Sequence, residues 1–254
     1  MAEIELDIIL PAFAAGMLVL ATHVPLGREV LRRGIIFIDL AIAQIAGLGV
    51  IAAYTMGWDV DGWQVQVIAG GSAIAGAVLL RWLEQHWHDS LEALIGVIFI
   101  LAASSGILLL ADNPHGGEHL RELLTGQILW VDAHHLIPVA VLYALLLLAW
   151  LGLRKRGGSL LFYSVFALAV TASVQLVGVY LVFSSLIVPA LAVRKVAHAG
   201  SALLQAYLIG AAGYALGLVA SSLSDLPSGA VIVWALAVCA LIFAGGRRLL
   251  SDGE

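Results

Sequence analysis

Apolar stretches of about twenty residues recur from one end of this chain to the other, with only short polar segments between them. That length is what a helix needs to cross ~30 Å of hydrocarbon. Inside a bilayer each backbone N–H and C=O must find its partner within the protein, and a continuous apolar run does so as a helix. The expected architecture is all-α: a polytopic integral membrane helical bundle of about eight transmembrane helices, a single membrane-spanning domain over residues 1–254. Composition agrees, since 62% of the residues are hydrophobic and 11% charged, against roughly 25% charged in an ordinary soluble domain. No stretch is left over for a soluble catalytic domain.

The few charges are informative by position. Ten of the twelve Lys and Arg residues fall in four clusters: Arg28, Arg32 and Arg33; Arg154, Lys155 and Arg156; Arg194 and Lys195; Arg247 and Arg248. Basic residues beside apolar runs mark cytoplasmic loops. They are not pooled on one face, as a nucleic-acid-binding surface would require. The runs cover Leu6–Leu26, ending at Pro25-Leu26-Gly27, then Ile35–Met56, Trp63–Leu83, Ala93–Leu110, Leu136–Leu153, Ser201–Leu223 and Gly229–Phe243. Residues 160–193 lie between two basic clusters, which asks for an even number of crossings. Yet about 33 residues reach only ~50 Å, short of the ~60 Å of two straight spans. A broken or re-entrant pair of short helices turning near Val177-Gly178-Val179 satisfies both facts; the alternative is one crossing with one basic cluster outside. The same rule puts the C-terminus inside, and the acidic N-terminus and Asp59–Asp61 outside. The opening MAEIELD has no basic segment, so the first run is expected to be a retained helix. Cys239 is the only cysteine, which excludes a disulfide framework.

Ionisable groups within spans are expensive and therefore candidates for function. Asp39 is the clearest, at the fifth position of the second run, with Gln44 five residues on. It either faces a permeation path or pairs near the interface with Arg32 or Arg33. The densest polar segment lies between the fourth and fifth runs, where His115, Glu118 and His119 share a face at helical spacing. Imidazole with carboxylate suits zinc, manganese or iron. The same letters match the inverted zinc-peptidase pattern His-x-x-Glu-His, while a solvated amphipathic helix would also explain them. Glu84, His88 and Glu92 fall on one face if a single helix runs through them. Gly213 and Gly217 form a GxxxG that packs closely on another helix, within the chain or in a dimer. There is no GxxxxGK[ST], so any nucleotide hydrolysis belongs to a partner.

Five stretches resemble one family in order: LGREVLRRGIIFIDLAIAQIAGLGV, LEALIGVIFILAASSGILLL, HGGEHLRELLTGQILWV, SVQLVGVYLVFSSLIVPALAV and LSDLPSGAVIV. They are similar to the permeases of ABC-type zinc/manganese/iron importers, over roughly residues 5–250. The resemblance implies that the second span lines the translocation path and that Glu92 opens the central helix. It implies that Val188, Pro189 and Ala190, with Arg194 and Lys195, form the cytoplasmic region that receives an ATPase. Many members carry an Asp-x-x-x-His pair in the second span; aligned on the downstream glycine, the histidine position here is Gln44 and the aspartate position is Leu40, with Asp39 one place early.

The function implied is a transport subunit, not an enzyme, in the cytoplasmic membrane of a bacterium. It would have no tightly bound cofactor and would carry a divalent zinc-, manganese- or iron-class ion as substrate. Its implied partners are a cytoplasmic ABC ATPase, an extracytoplasmic metal-binding protein and a second permease copy. Two readings of other classes compete: a secondary metal transporter working alone, and a membrane metallopeptidase using His115, Glu118 and His119.

Overall fold

The computed structural model describes residues 6–58, 62–111, 124–126, 128–131, 133–153 and 158–251. Among them it has nine α-helices and no strand: α1 (Leu6–Arg33), α2 (Ile38–Thr55), α3 (Trp63–His86), α4 (Leu91–Leu109), α5 (Ala133–Leu153), α6 (Gly158–Val177), α7 (Val179–Ala192), α8 (Ala199–Ser224) and α9 (Ser228–Ser251). Eight are long and apolar enough to cross a membrane; α7, with 14 residues, is shorter.

Helix α1 runs seven residues past its expected end at Leu26 and passes through Pro25 to Arg33. Proline removes the N–H that would bond the carbonyl four residues earlier. That carbonyl, of Ala21, accepts the Tyr207 hydroxyl at 3.1 Å, so the helix loses no bond it cannot replace. Beyond the proline, Glu29 accepts from Arg32 Nε at 2.9 Å and Arg33 Nε at 2.8 Å, and the i, i+3 and i+4 pairs carry the helix to its end.

The break expected near Val177-Gly178-Val179 falls at Gly178, where φ is +79°. The two pieces are unequal. The first, α6, is a 20-residue helix long enough to span, so the expectation of two short helices holds only for α7. Residues 84–92 are not one helix either: α3 ends at His86 and a turn of 3-10 helix at His88–Ser90 precedes α4, which takes Glu84, His88 and Glu92 off a common face.

The chain forms two compact units, one of residues 1–33, 125–143 and 176–254, the other of 34–124 and 144–175. In the first, α1 and α8 run antiparallel: Gly16 receives the Tyr214 ring and Gly210 the Leu20 side chain. Helix α9 returns along α8, with Gly217 against Ile232 Cα and Gly213 against Leu236. The missing side chains let the backbones approach closely, the condition for packing helices when surrounding lipid is as apolar as their own surfaces. In the second unit, α2 lies antiparallel to α3, since Gly76 takes Ile42 and Ile45 while Gly49 takes Ile68 and Ser72. It lies parallel to α4, with Phe37 beside Glu92 at one end and Ile51 beside Gly106 further along.

Candidate translocation-path and docking residues

Asp39 lies in the first turn of α2 and is 1% exposed. Neither carboxylate oxygen has a hydrogen-bond partner. Arg32 and Arg33 both pair with Glu29. A carboxylate near a helix N-terminus gains from the helix dipole, but a buried one with no partner still lacks most of what water would supply. Buried polar side chains are as a rule hydrogen-bonded, which sets Asp39 apart.

Glu92 opens α4, as the resemblance implied, and its position has a structural reason. Its Oε1 accepts the Phe37 N–H at 3.2 Å, capping α2 from the neighbouring helix, while its Oε2 is buried and unpartnered. Phe37, Gln44 and Ile51 follow one another at seven-residue spacing, which is two turns, so Gln44 stands on the stripe of α2 that faces α4. Gln44 is half-buried there. Asp39 is about 200° around the helix from Phe37 and about 140° from Gln44. Asp39 therefore belongs to another face of α2, with Ala43, Ala46 and Ala53, all buried.

His115, Glu118 and His119 lie outside the described residues. Among the described residues no three of His, Cys, Asp and Glu gather to hold a metal ion.

The expected docking region divides into two kinds of residue. Pro189 and Ala190 are buried and Val188 is half-buried on α7. Arg194 and Lys195 are exposed in the turn that follows. A partner would meet Arg194 and Lys195 together with Leu191, 44% exposed, while Pro189 and Ala190 support them from beneath. The turn is anchored: Arg28 Nη1 donates to the Ala199 carbonyl at 2.9 Å, and Gly27 lies directly against the Leu186 carbonyl. On the same half-helix, Ser185 Oγ donates to the Leu181 carbonyl at 2.7 Å. Its one hydrogen is thereby used, so the Tyr214 hydroxyl 2.8 Å away is the donor to Ser185.

Tyr207 and Tyr214 thus hold α8 to α1 and to α7, roles that sequence reasoning missed. Their seven-residue spacing, with Gly210 and Gly213 between them, is the signal that could have found them. His23, near the C-terminal end of the first apolar run, is fully buried, with Nδ1 3.0 Å from the Val19 carbonyl and Nε2 unpartnered.

The model of the ABC 3 transport family matches residues 5–156 and 150–245. Among solved structures the fold is similar to PsaBC from Streptococcus pneumoniae in complex with Fab, with a TM-score of 0.73 and 20% identity over 94% of this chain and 91% of that one. It is also similar to a protein described as a putative metal-chelate type ABC transporter in an inward-facing conformation, with a TM-score of 0.64 and 20% identity over 96% of this chain and 86% of that one. At such identities the likeness is one of fold.

Proposed function

Because the chain belongs to the ABC 3 transport family, we propose that it is the membrane-spanning permease subunit of an ATP-driven importer of divalent metal ions of the zinc, manganese and iron class. The observation that carries this reading is the family match, in two overlapping segments that together reach from residue 5 to residue 245, on a fold with eight helices long enough to cross a membrane. The chain supplies the path and no nucleotide chemistry. A cytoplasmic ABC ATPase docks on the turn after α7 through Arg194, Lys195 and Leu191. A second permease copy completes the path, and an extracytoplasmic binding protein delivers the ion. The cytoplasmic membrane of a bacterium is where such an assembly works.

Asp39 is the intramembrane carboxylate of the path. In its unpartnered state it has the most to gain from a passing cation, since a buried charge is costly until paired. By the resemblance Gln44 stands where many family members carry histidine, so it offers an amide oxygen instead of imidazole; oxygen donors suit manganese better than zinc. His115, Glu118 and His119 collect the ion at the outer mouth. Coupling needs only that cargo and ATP favour different states of the assembly.

The test is co-purification of the chain with the ATPase encoded beside it, followed by radiolabelled manganese and zinc uptake into proteoliposomes with and without ATP. Uptake by the chain alone, driven by an ion gradient, would replace this reading with a secondary transporter.

A further inference from the structure

The backbone leaves the helical path at Gly178, between α6 and α7, and Gly126, where the helical turn at Leu124–Thr125 ends, lies against it. Both glycines are left-handed, with φ of +79° at Gly178 and +66° at Gly126. A side-chain carbon on Gly126 would overlap the Val177 carbonyl. One on Gly178 would overlap the Gly126 nitrogen and come within 2.7 Å of the Gly126 Cα. The Thr125 carbonyl in turn occupies the place a side chain on Gly229 would need. Backbone therefore meets backbone at the junction of three segments, all within one compact unit.

The depth of this junction explains why it must be covered. Helix α7 has 14 residues and is ~21 Å long. Measured from the turn at 193–198, it ends ~9 Å short of the far edge of a ~30 Å hydrocarbon layer. Non-helical backbone at that depth is tolerated only against protein or a water-filled cavity. Thr125–Gly126 supplies the protein. At its other end α7 is tied to α1 and α8 by the Gly27 approach and the Tyr214–Ser185 bond, and it leads directly into Arg194 and Lys195.

We propose that Gly126 and Gly178 are positioning residues for transport: their backbone contact fixes the N-terminal end of α7, so that force on the turn at 193–198 is carried along α7 and not absorbed at the break. This rests on the reading of that turn as the ATPase dock. The contact stays closed through the transport cycle.

The experiment uses the complete transporter in proteoliposomes and measures radiolabelled manganese taken up per ATP hydrolysed. Gly126→Ala and Gly178→Ala each retain the ATPase and hydrolyse ATP within about twofold of wild type, while manganese per ATP falls about tenfold. Gly34→Ala is the control: φ there is +71°, but nothing lies within 4 Å of the added methyl. It carries the same backbone cost without the contact, and its ratio stays within about twofold. Wild-type ratios in both junction variants, or an equal loss in Gly34→Ala, overturn the proposal. Should the junction variants not fold, amide hydrogen exchange on the wild-type transporter decides. Residues 124–126, 128–131 and 176–182 exchange slowly and are unchanged by ATP; faster exchange at 124–131 alone on ATP binding overturns the closed contact. A wild-type chain that retains no ATPase sinks the permease reading itself, a result separate from these.

Discussion

At the scale of single residues, the decisive contrast is between carboxylates that have partners and one that does not. Glu29 is held by two arginines and Glu92 by a backbone N–H, whereas both oxygens of Asp39 are buried and bare. Replacing Asp39 by Asn keeps the shape and removes the charge. Because no cation pairs with it, the loss exposes no orphaned partner, and the fold should be no less stable. The expected outcome is unchanged or slightly raised melting in detergent with maximal manganese uptake lowered about tenfold. Wild-type uptake in Asp39→Asn would remove this residue from the path. That Asp39 lies within an apolar run was legible in the sequence. The face it takes was not, because the rotation of α2 is set in part by Gly76 of α3 and Gly106 of α4, which receive Ile42, Ile45 and Ile51.

Tyr214 poses a related question of what one hydroxyl contributes. Since Ser185 already uses its hydrogen on Leu181, Tyr214→Phe leaves Ser185 with a satisfied donor and costs about 1 kcal/mol, the value of one hydrogen bond. The ring itself fills the space beside Gly16, so truncation to Ala costs about 3–5 kcal/mol through the cavity left behind. A denaturant or thermal series on the two variants separates the terms, and equal losses would contradict this division.

At the scale of elements, apolar length settled the existence of most helices, because nothing else satisfies so long an apolar backbone in lipid. It did not settle their ends. Helix α1 continues past Pro25 on the strength of Tyr207, 186 positions along the chain from the Ala21 carbonyl it bonds, which no local pattern contains. The GxxxG of α8 was legible as a packing face but silent about its partner, and here Gly213 and Gly217 receive Leu236 and Ile232 of α9. Gly217→Leu should therefore damage the chain itself. Overpacking at this seam is expected to cost about 1–3 kcal/mol, seen as a lower melting temperature of the purified subunit. The ratio of monomer to dimer among surviving molecules should not change. A shift to monomer without loss of melting temperature would assign the glycines to a contact between copies.

At the scale of the whole molecule, the placement of charge within one unit says how the chain is threaded. The antiparallel pairing of α1 with α8, and of α8 with α9, brings the C-terminal end of α1, the turn before α8 and the C-terminal end of α9 to the same end of that unit. Arg28, Arg32 and Arg33, then Arg194 and Lys195, then Arg247 thus gather at one level, although more than 150 positions separate the first from the next. Asp7 and Asp225 lie toward the opposite end. This distribution is the one expected if the basic end is cytoplasmic. The same end carries the exposed turn at Arg194 and Lys195, so threading and docking make one joint prediction. In a Cys239→Ser background that remains active, a cysteine at Asp252 should label only from the cytoplasmic side and one at Val60 only from outside. On the same cytoplasmic surface, Arg194→Glu with Lys195→Glu should insert normally, since neither lies within an apolar run, and should lower retention of the ATPase about tenfold through reversed charge at the dock. Labelling at Val60 and Asp252 from one side would overturn the threading. Normal labelling with undiminished ATPase binding in the double variant would keep the threading and move the dock elsewhere.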